Sequence, residues 1–146
     1  MSSFFSHLRV SSEYSISQGL LTIDQIVDNA KKYSIPSIAL TDKSNMFGLV
    51  KFFNKCESAG IKPISGSSKR LIFDDDDTSY ELLCLAKTNN GHKNLMKIIS
   101  NAHNISSFNS RIIRFNDLIE LKDEIIVISG GKESHIFEYL KSNNIS

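Results

Sequence analysis

Apolar and polar positions fall into blocks that separate short strands from amphipathic helices. Residues 4–10 read as a short buried strand. After Thr22, a helix cap, Ile23, Ile26, Val27, Ala30 and Tyr33 recur at helical spacing; this predicts a helix over 22–34, ended by Pro36. Residues 37–40 form a second apolar strand, 41–45 a polar loop, and 47–59 a helix stopped by Gly60. Residues 62–65 predict a third strand, and 69–73 with 80–86 two more around the acidic turn Asp74 to Asp77. A helix follows Asn89-Asn90-Gly91 with Leu95, Ile98, Ile99 and Ala102 as its buried stripe, then a loop through Ser106, Ser107 and Ser110. The pattern closes with a short helix at 117–121, a strongly apolar strand at 124–129, a Gly130-Gly131 turn and a helix at 134–141 packed through Ile136, Phe137 and Leu140.

Strands alternating with helices of this length imply a parallel sheet with right-handed crossovers, in an open layered sheet or part of a barrel. The length, 146 residues, suits one domain, and 40% hydrophobic with 23% charged residues is ordinary for a globular chain. Seventeen Lys and Arg against sixteen Asp and Glu leave a net charge of +1, so no basic field marks a self-sufficient nucleic-acid binder. Cys56 and Cys84 lack the close pairing of metal ribbons or redox motifs and read as reduced core thiols. No signal-peptide pattern opens the chain, and no apolar run approaches the roughly 20 residues that span a bilayer. A cytoplasmic location with no membrane partner is expected.

Two stretches carry more specific information. His7-Leu8-Arg9-Val10-Ser11-Ser12-Glu13-Tyr14-Ser15 and Ala39-Leu40-Thr41-Asp42-Lys43-Ser44-Asn45-Met46-Phe47-Gly48, the latter running into Gly60-Ile61-Lys62-Pro63-Ile64-Ser65-Gly66, resemble the N-terminal PHP (polymerase and histidinol phosphatase) domain of bacterial DNA polymerase III alpha subunits. Leu83-Cys84-Leu85-Ala86-Lys87 with Gly91-His92-Lys93-Asn94-Leu95, and Ile126-Val127-Ile128-Ser129-Gly130-Gly131, extend the resemblance over essentially the whole chain. It implies an α/β fold, a partial β/α barrel of PHP type with parallel strands and a hairpin insertion. A closed barrel needs on the order of 200 to 250 residues. Residues 1–146 are therefore expected to be about the first half of such a domain, a fragment of a much longer polymerase chain.

The resemblance also assigns positions to chemistry. Active PHP domains hold a cluster of divalent metals that activates water against a phosphoester, with adjacent metals stabilising the attacking and leaving oxygens. The family's His-x-His falls on His7 and Arg9, so one ligand stands and the other has become a permanent cation. The acid of the first loop falls on Gln18, the histidine of the Thr-Asp-His loop on Lys43, and the expected Glu on Ser68, while a further His position falls near Glu81. His7 is the only clear retained ligand and favours a structural role. No catalytic, cofactor-binding or metal site is assigned, and no cofactor is expected in this fragment, magnesium belonging to the parent polymerase.

The resemblance thus implies a piece of a DNA-directed DNA polymerase (a nucleotidyltransferase of DNA replication) that is itself inactive. It would act as a scaffold docking the proofreading exonuclease subunit within the replicase, with DNA contacted through the parent enzyme. The alternative is a free-standing metal-dependent PHP phosphoesterase. Asp42 and Asn45 favour a turn role, since their side chains readily bond nearby amides. Asp74 to Asp77 lack the interleaved spacing of a calcium loop, His92, His103 and His135 make no zinc pair, and Ser129-Gly130-Gly131-Lys132 lacks P-loop spacing.

Overall fold

The structure is a computed structural model that describes residues 5–16, 18–73, 78–105 and 112–142. The chain divides into two compact units, Met1–Ser67 and Ser68–Ser146, each described in turn.

The first unit packs α1 (Ile23–Lys32) and α2 (Leu49–Ser58) beside β1 (Ser37–Leu40), which pairs in parallel with the opening of β2 (Lys62–Ile72) from Ser37↔Lys62 to Leu40↔Ser65. Thr22 and Gln25 cap α1 reciprocally, the Gln25 amide donating to Thr22 Oγ1 at 3.2 Å and the Thr22 amide to Gln25 Oε1 at 2.9 Å. This satisfies two otherwise orphaned donors. Ile23, Ile26, Val27 and Ala30 meet Ile38, Leu40, Leu49, Phe52, Cys56 and Ile61 in one core. Tyr33 instead caps the helix and is 67% exposed. Gly60 takes φ +70 and ends α2 as its position predicts. The start of α2 slips from 47 to Leu49 because Gly48 forms the cap, where an added Cβ would stand 2.6 Å from Ile23 Cδ1 and 2.8 Å from the Tyr14 ring.

The expected buried strand at 4–10 is corrected; residue 4 lies outside the described residues. Among the described residues of this segment a single parallel bridge joins His7 to Ile38, and Phe5 is 66% and Leu8 40% exposed. Ala39 N–H donates to the His7 carbonyl at 2.9 Å and Thr41 N–H to that of Val10 at 2.8 Å, so three residues advance on one chain against two on the other. That is the count of a bulge, which breaks the ladder and turns side chains outward.

In the second unit the later part of β2 neighbours β3 (Tyr80–Ala86) and pairs in parallel with β4 (Ile112–Arg114), a strand the sequence pattern does not reveal. Residues 62–65 and 69–73, expected as two strands, form the single β2. β3 pairs antiparallel with β5 (Ile125–Ser129), from Leu82↔Ser129 to Ala86↔Ile125, so this unit mixes a parallel with an antiparallel pair where parallel strands outside the hairpin were expected. The expected acidic turn, Asp74 to Asp77, and the expected loop through Ser106, Ser107 and Ser110 lie outside the described residues; the Phe73 and Tyr80 rings sit 6.0 Å apart. α3 (Asn89–Ile105) lays its expected stripe of Leu95, Ile98, Ile99 and Ala102 on the sheet. The short α4 (Phe115–Glu120) starts two residues early, directly after β4.

α5 (His135–Ser142) departs from expectation. None of its residues is buried, and Ile136, Phe137 and Leu140, expected to pack, are 59%, 40% and 41% exposed. Its eight residues are held at the start, where the Phe137 amide donates to Ser134 Oγ and the His135 ring lies 4.8 and 4.9 Å from those of Phe73 and Tyr80. No described element covers the face beyond.

Candidate functional site

The site-bearing loops of the first unit are organised by one carboxylate. Asp42 follows β1 and is 1% exposed. Its Oδ1 accepts from the Ser12 amide at 2.7 Å and Ser15 Oγ at 2.6 Å, and its Oδ2 from Ser12 Oγ at 2.7 Å. Ser15 Oγ accepts in turn from the Lys43 amide at 3.0 Å, and Ser67 Oγ donates to the Asp42 carbonyl at 2.8 Å. Asn45 completes the joint, donating to the Tyr14 and Lys43 carbonyls at 3.0 Å each and accepting from the Phe47 amide. Gly19 closes the same loop so tightly that an added Cβ would stand 1.8 Å from the Ser12 carbonyl oxygen.

Asp42 and Asn45 therefore do more than shape their own turn, since they clamp residues 12–15 onto residues 41–47. Sequence reasoning missed Ser12 and Ser15 altogether. The available signal was a pair of hydroxyls three residues apart just after the first strand, facing a Thr-Asp at the end of the next.

Four of the positions that the family resemblance assigns to ligands, His7, Arg9, Gln18 and Lys43, lie in the first unit. His7 is exposed, its ring edge-on to Phe5 at 4.7 Å, and only its backbone joins β1. Arg9 is exposed on the bulge, next to Val10, whose amide donates to Thr41 Oγ1 at 2.9 Å. Gln18 is exposed, and its amide bonds the carbonyl of Ser15, the residue whose hydroxyl holds half-buried Lys43. Within the second unit, Ser68 is buried on β2 and Glu81 half-buried on β3.

A divalent metal cluster needs several neutral or anionic donors converging on one volume. The first unit offers an exposed imidazole, an amide, two cations and a carboxylate already engaged by three donors, and this set does not fit such a cluster. Among the described residues no three His, Cys, Asp or Glu side chains are grouped to hold a metal. His103 bonds the Ile99 carbonyl of its own helix at 2.7 Å, and His135 sits in the aromatic contact at the start of α5.

Both cysteines are free and buried. Burial pushes the Cys56 thiol up to about 11 and the Cys84 thiol up to about 12, the latter against the opposing charge of nearby Lys69. Neither is a nucleophile at neutral pH, because the thiolate is the reactive form.

The PHP domain family model matches residues 7–146. The DNA polymerase III subunit alpha of Escherichia coli K12 is 37% identical over 143 residues, covering 96% of this chain and 12% of that protein. Its counterpart in Borreliella burgdorferi is 45% identical over 105 residues, 66% of this chain and 9% of that protein. The chain thus spans about a tenth of the length of the curated relatives it matches.

Among solved structures, a protein from Bifidobacterium adolescentis described as a metal-dependent phosphoesterase aligns with a TM-score of 0.54 at 15% identity, over 99% of this chain and 52% of that one. An amidohydrolase from Chromobacterium violaceum, solved with sulfate and no metal, gives 0.53 at 19% identity, over 68% of this chain and 33% of that one. At such identities the likeness is one of fold, and it meets the expected α/β architecture of PHP type. No described helix is long and apolar enough to cross a membrane. With a family match running from His7 to the last residue and polymerase subunits aligned along the same stretch, this chain belongs to the PHP domain family.

Proposed function

We propose that the chain is the N-terminal portion of the PHP domain of a DNA polymerase III alpha subunit, and that this portion serves the replicase as a docking scaffold without metal-dependent hydrolysis. The complete protein would extend primers with deoxynucleotides in the cytoplasm, using magnesium held outside these residues. The observation that carries the reading is the use made of Asp42, a buried carboxylate consumed by the Ser12 and Ser15 donors as a structural clamp. Arg9 and Lys43, at the positions the family resemblance assigns to ligands, add positive charge where a metal cluster needs neutral or anionic groups.

The partner proposed is the proofreading exonuclease subunit, tested by pull-down with the purified chain. Binding by the native chain is expected, and it should persist in an Arg9→His, Lys43→His double variant. Absence of binding in both forms overturns the scaffold role. Calorimetry with zinc and manganese should show no tight multi-site binding to the native chain; tight binding that His7→Ala abolishes would restore the hydrolase alternative.

A further inference from the structure

We infer that the apolar surface left open in the second unit by β5 and α5 is the seam on which the remainder of the same PHP fold closes, so that its occupant is continuing polypeptide of this domain. The assignment rests on reading the chain as part of a larger PHP domain, and it is independent of exonuclease docking.

Three observations converge on that surface. Ile126 and Val127 are adjacent on β5 and so point to opposite faces of the strand, yet they are 48% and 46% exposed. A helix covering one face would hide only one of them, so both layers are open here. β5 pairs with β3 in the described residues and ends the strand order, which leaves its other edge as a row of backbone donors and acceptors ready to take a strand. α5 then adds Ile136, Phe137 and Leu140, apolar side chains that are 59%, 40% and 41% exposed.

An adapter surface for a foreign protein needs one apolar patch with a polar rim. A strand open on both faces and along one edge, beside a helix with an uncovered apolar stripe, is instead the cross-section of an interrupted β/α layer. The amount of missing fold agrees, because the phosphoesterase fold that takes in 99% of this chain is only 52% covered by it.

The test supplies the missing half in trans. The probe is the remainder of the PHP domain of the Escherichia coli K12 subunit, beginning after the residue aligned with Ser146. It is titrated onto this chain and followed by sedimentation and by hydrogen exchange of the β5 and α5 amides. A one-to-one complex with slowed exchange in Ile125–Ser129 is expected.

Val127→Lys and Ile136→Lys should each weaken the complex by about tenfold or more, as charges placed in a buried apolar seam do. Val50→Lys, at a residue 74% exposed on α2 of the other unit, should leave affinity unchanged. All three positions are solvent-exposed in this chain, and circular dichroism verifies that each variant is folded. No complex with the folded native chain, or a complex indifferent to both seam substitutions, overturns the inference. Self-association that the probe does not displace also overturns it, giving the surface to a second copy.

Discussion

Replacing Asp42 by alanine tests whether the first unit depends on a buried charge used as a clamp. The side chain is 1% exposed and accepts three hydrogen bonds at 2.6 to 2.7 Å, two from hydroxyls and one from a backbone amide. A hydrogen bond to a charged group contributes about 1.5 to 3 kcal/mol, and a buried donor left unmade costs a further 1 to 3 kcal/mol. The Ser12 and Ser15 hydroxyls can turn to other acceptors, whereas the Ser12 amide cannot, so the three effects do not sum. A net loss of about 3 to 5 kcal/mol is expected for Asp42→Ala, a large part of the 5 to 15 kcal/mol typical of a small domain.

Asp42→Asn keeps the shape and two of the three acceptor interactions and should lose about 1 to 2 kcal/mol. The chain has no tryptophan, so urea unfolding is followed by far-ultraviolet circular dichroism, comparing midpoints at constant slope. Asp28→Ala, on the exposed side of α1, is the control and should fall within about 0.5 kcal/mol of the native chain. A loss for Asp42→Ala no larger than the control's would refute the clamp and reopen Asp42 as a group held ready for a ligand.

Three further outcomes follow from other parts of the structure. Asp24 accepts from Lys55 at 2.7 Å and Lys51 at 2.9 Å, and these bonds hold its carboxyl down at about 2 from an ordinary 3.8. Because its folded pKa lies below the unfolded one, its contribution is fully present above about pH 4 and is lost as pH falls toward 2. Asp24→Asn should therefore flatten that part of the stability profile, most visibly at low salt. Cys56 and Cys84, both 0% exposed with raised thiol pKa values, should resist a thiol reagent in the native chain and react at the rate of unfolding as urea is added. Gly19→Ala should destabilise by about 2 kcal/mol or more, measured by the same urea titration, since its methyl group would require the Ser12 carbonyl to move.

The sequence by itself determined the elements whose burial is decided locally. Ile23, Ile26, Val27 and Ala30 form one stripe at helical spacing, Thr22 and Gln25 carry a cap in their own side chains, and Gly60 stops α2 by taking a conformation other residues avoid. The chain's motifs likewise identified its family. What only tertiary structure decided depends on neighbours far along the chain. Residues 4–10 are apolar enough for a buried strand, but a bulge against β1 and an uncovered side leave Phe5 and Leu8 in solvent.

α5 has the pattern of a packed helix without a described partner for its face, and β4 is too short for periodicity to mark. Asp42 is the sharpest case. Composition and spacing present it as a loop acid, and only the approach of Ser12 and Ser15, some thirty residues earlier, turns its lone pairs inward and gives them structural work. Side-chain spacing within one element is written in local sequence, whereas the satisfaction of a buried charge depends on which distant donors the fold brings to it.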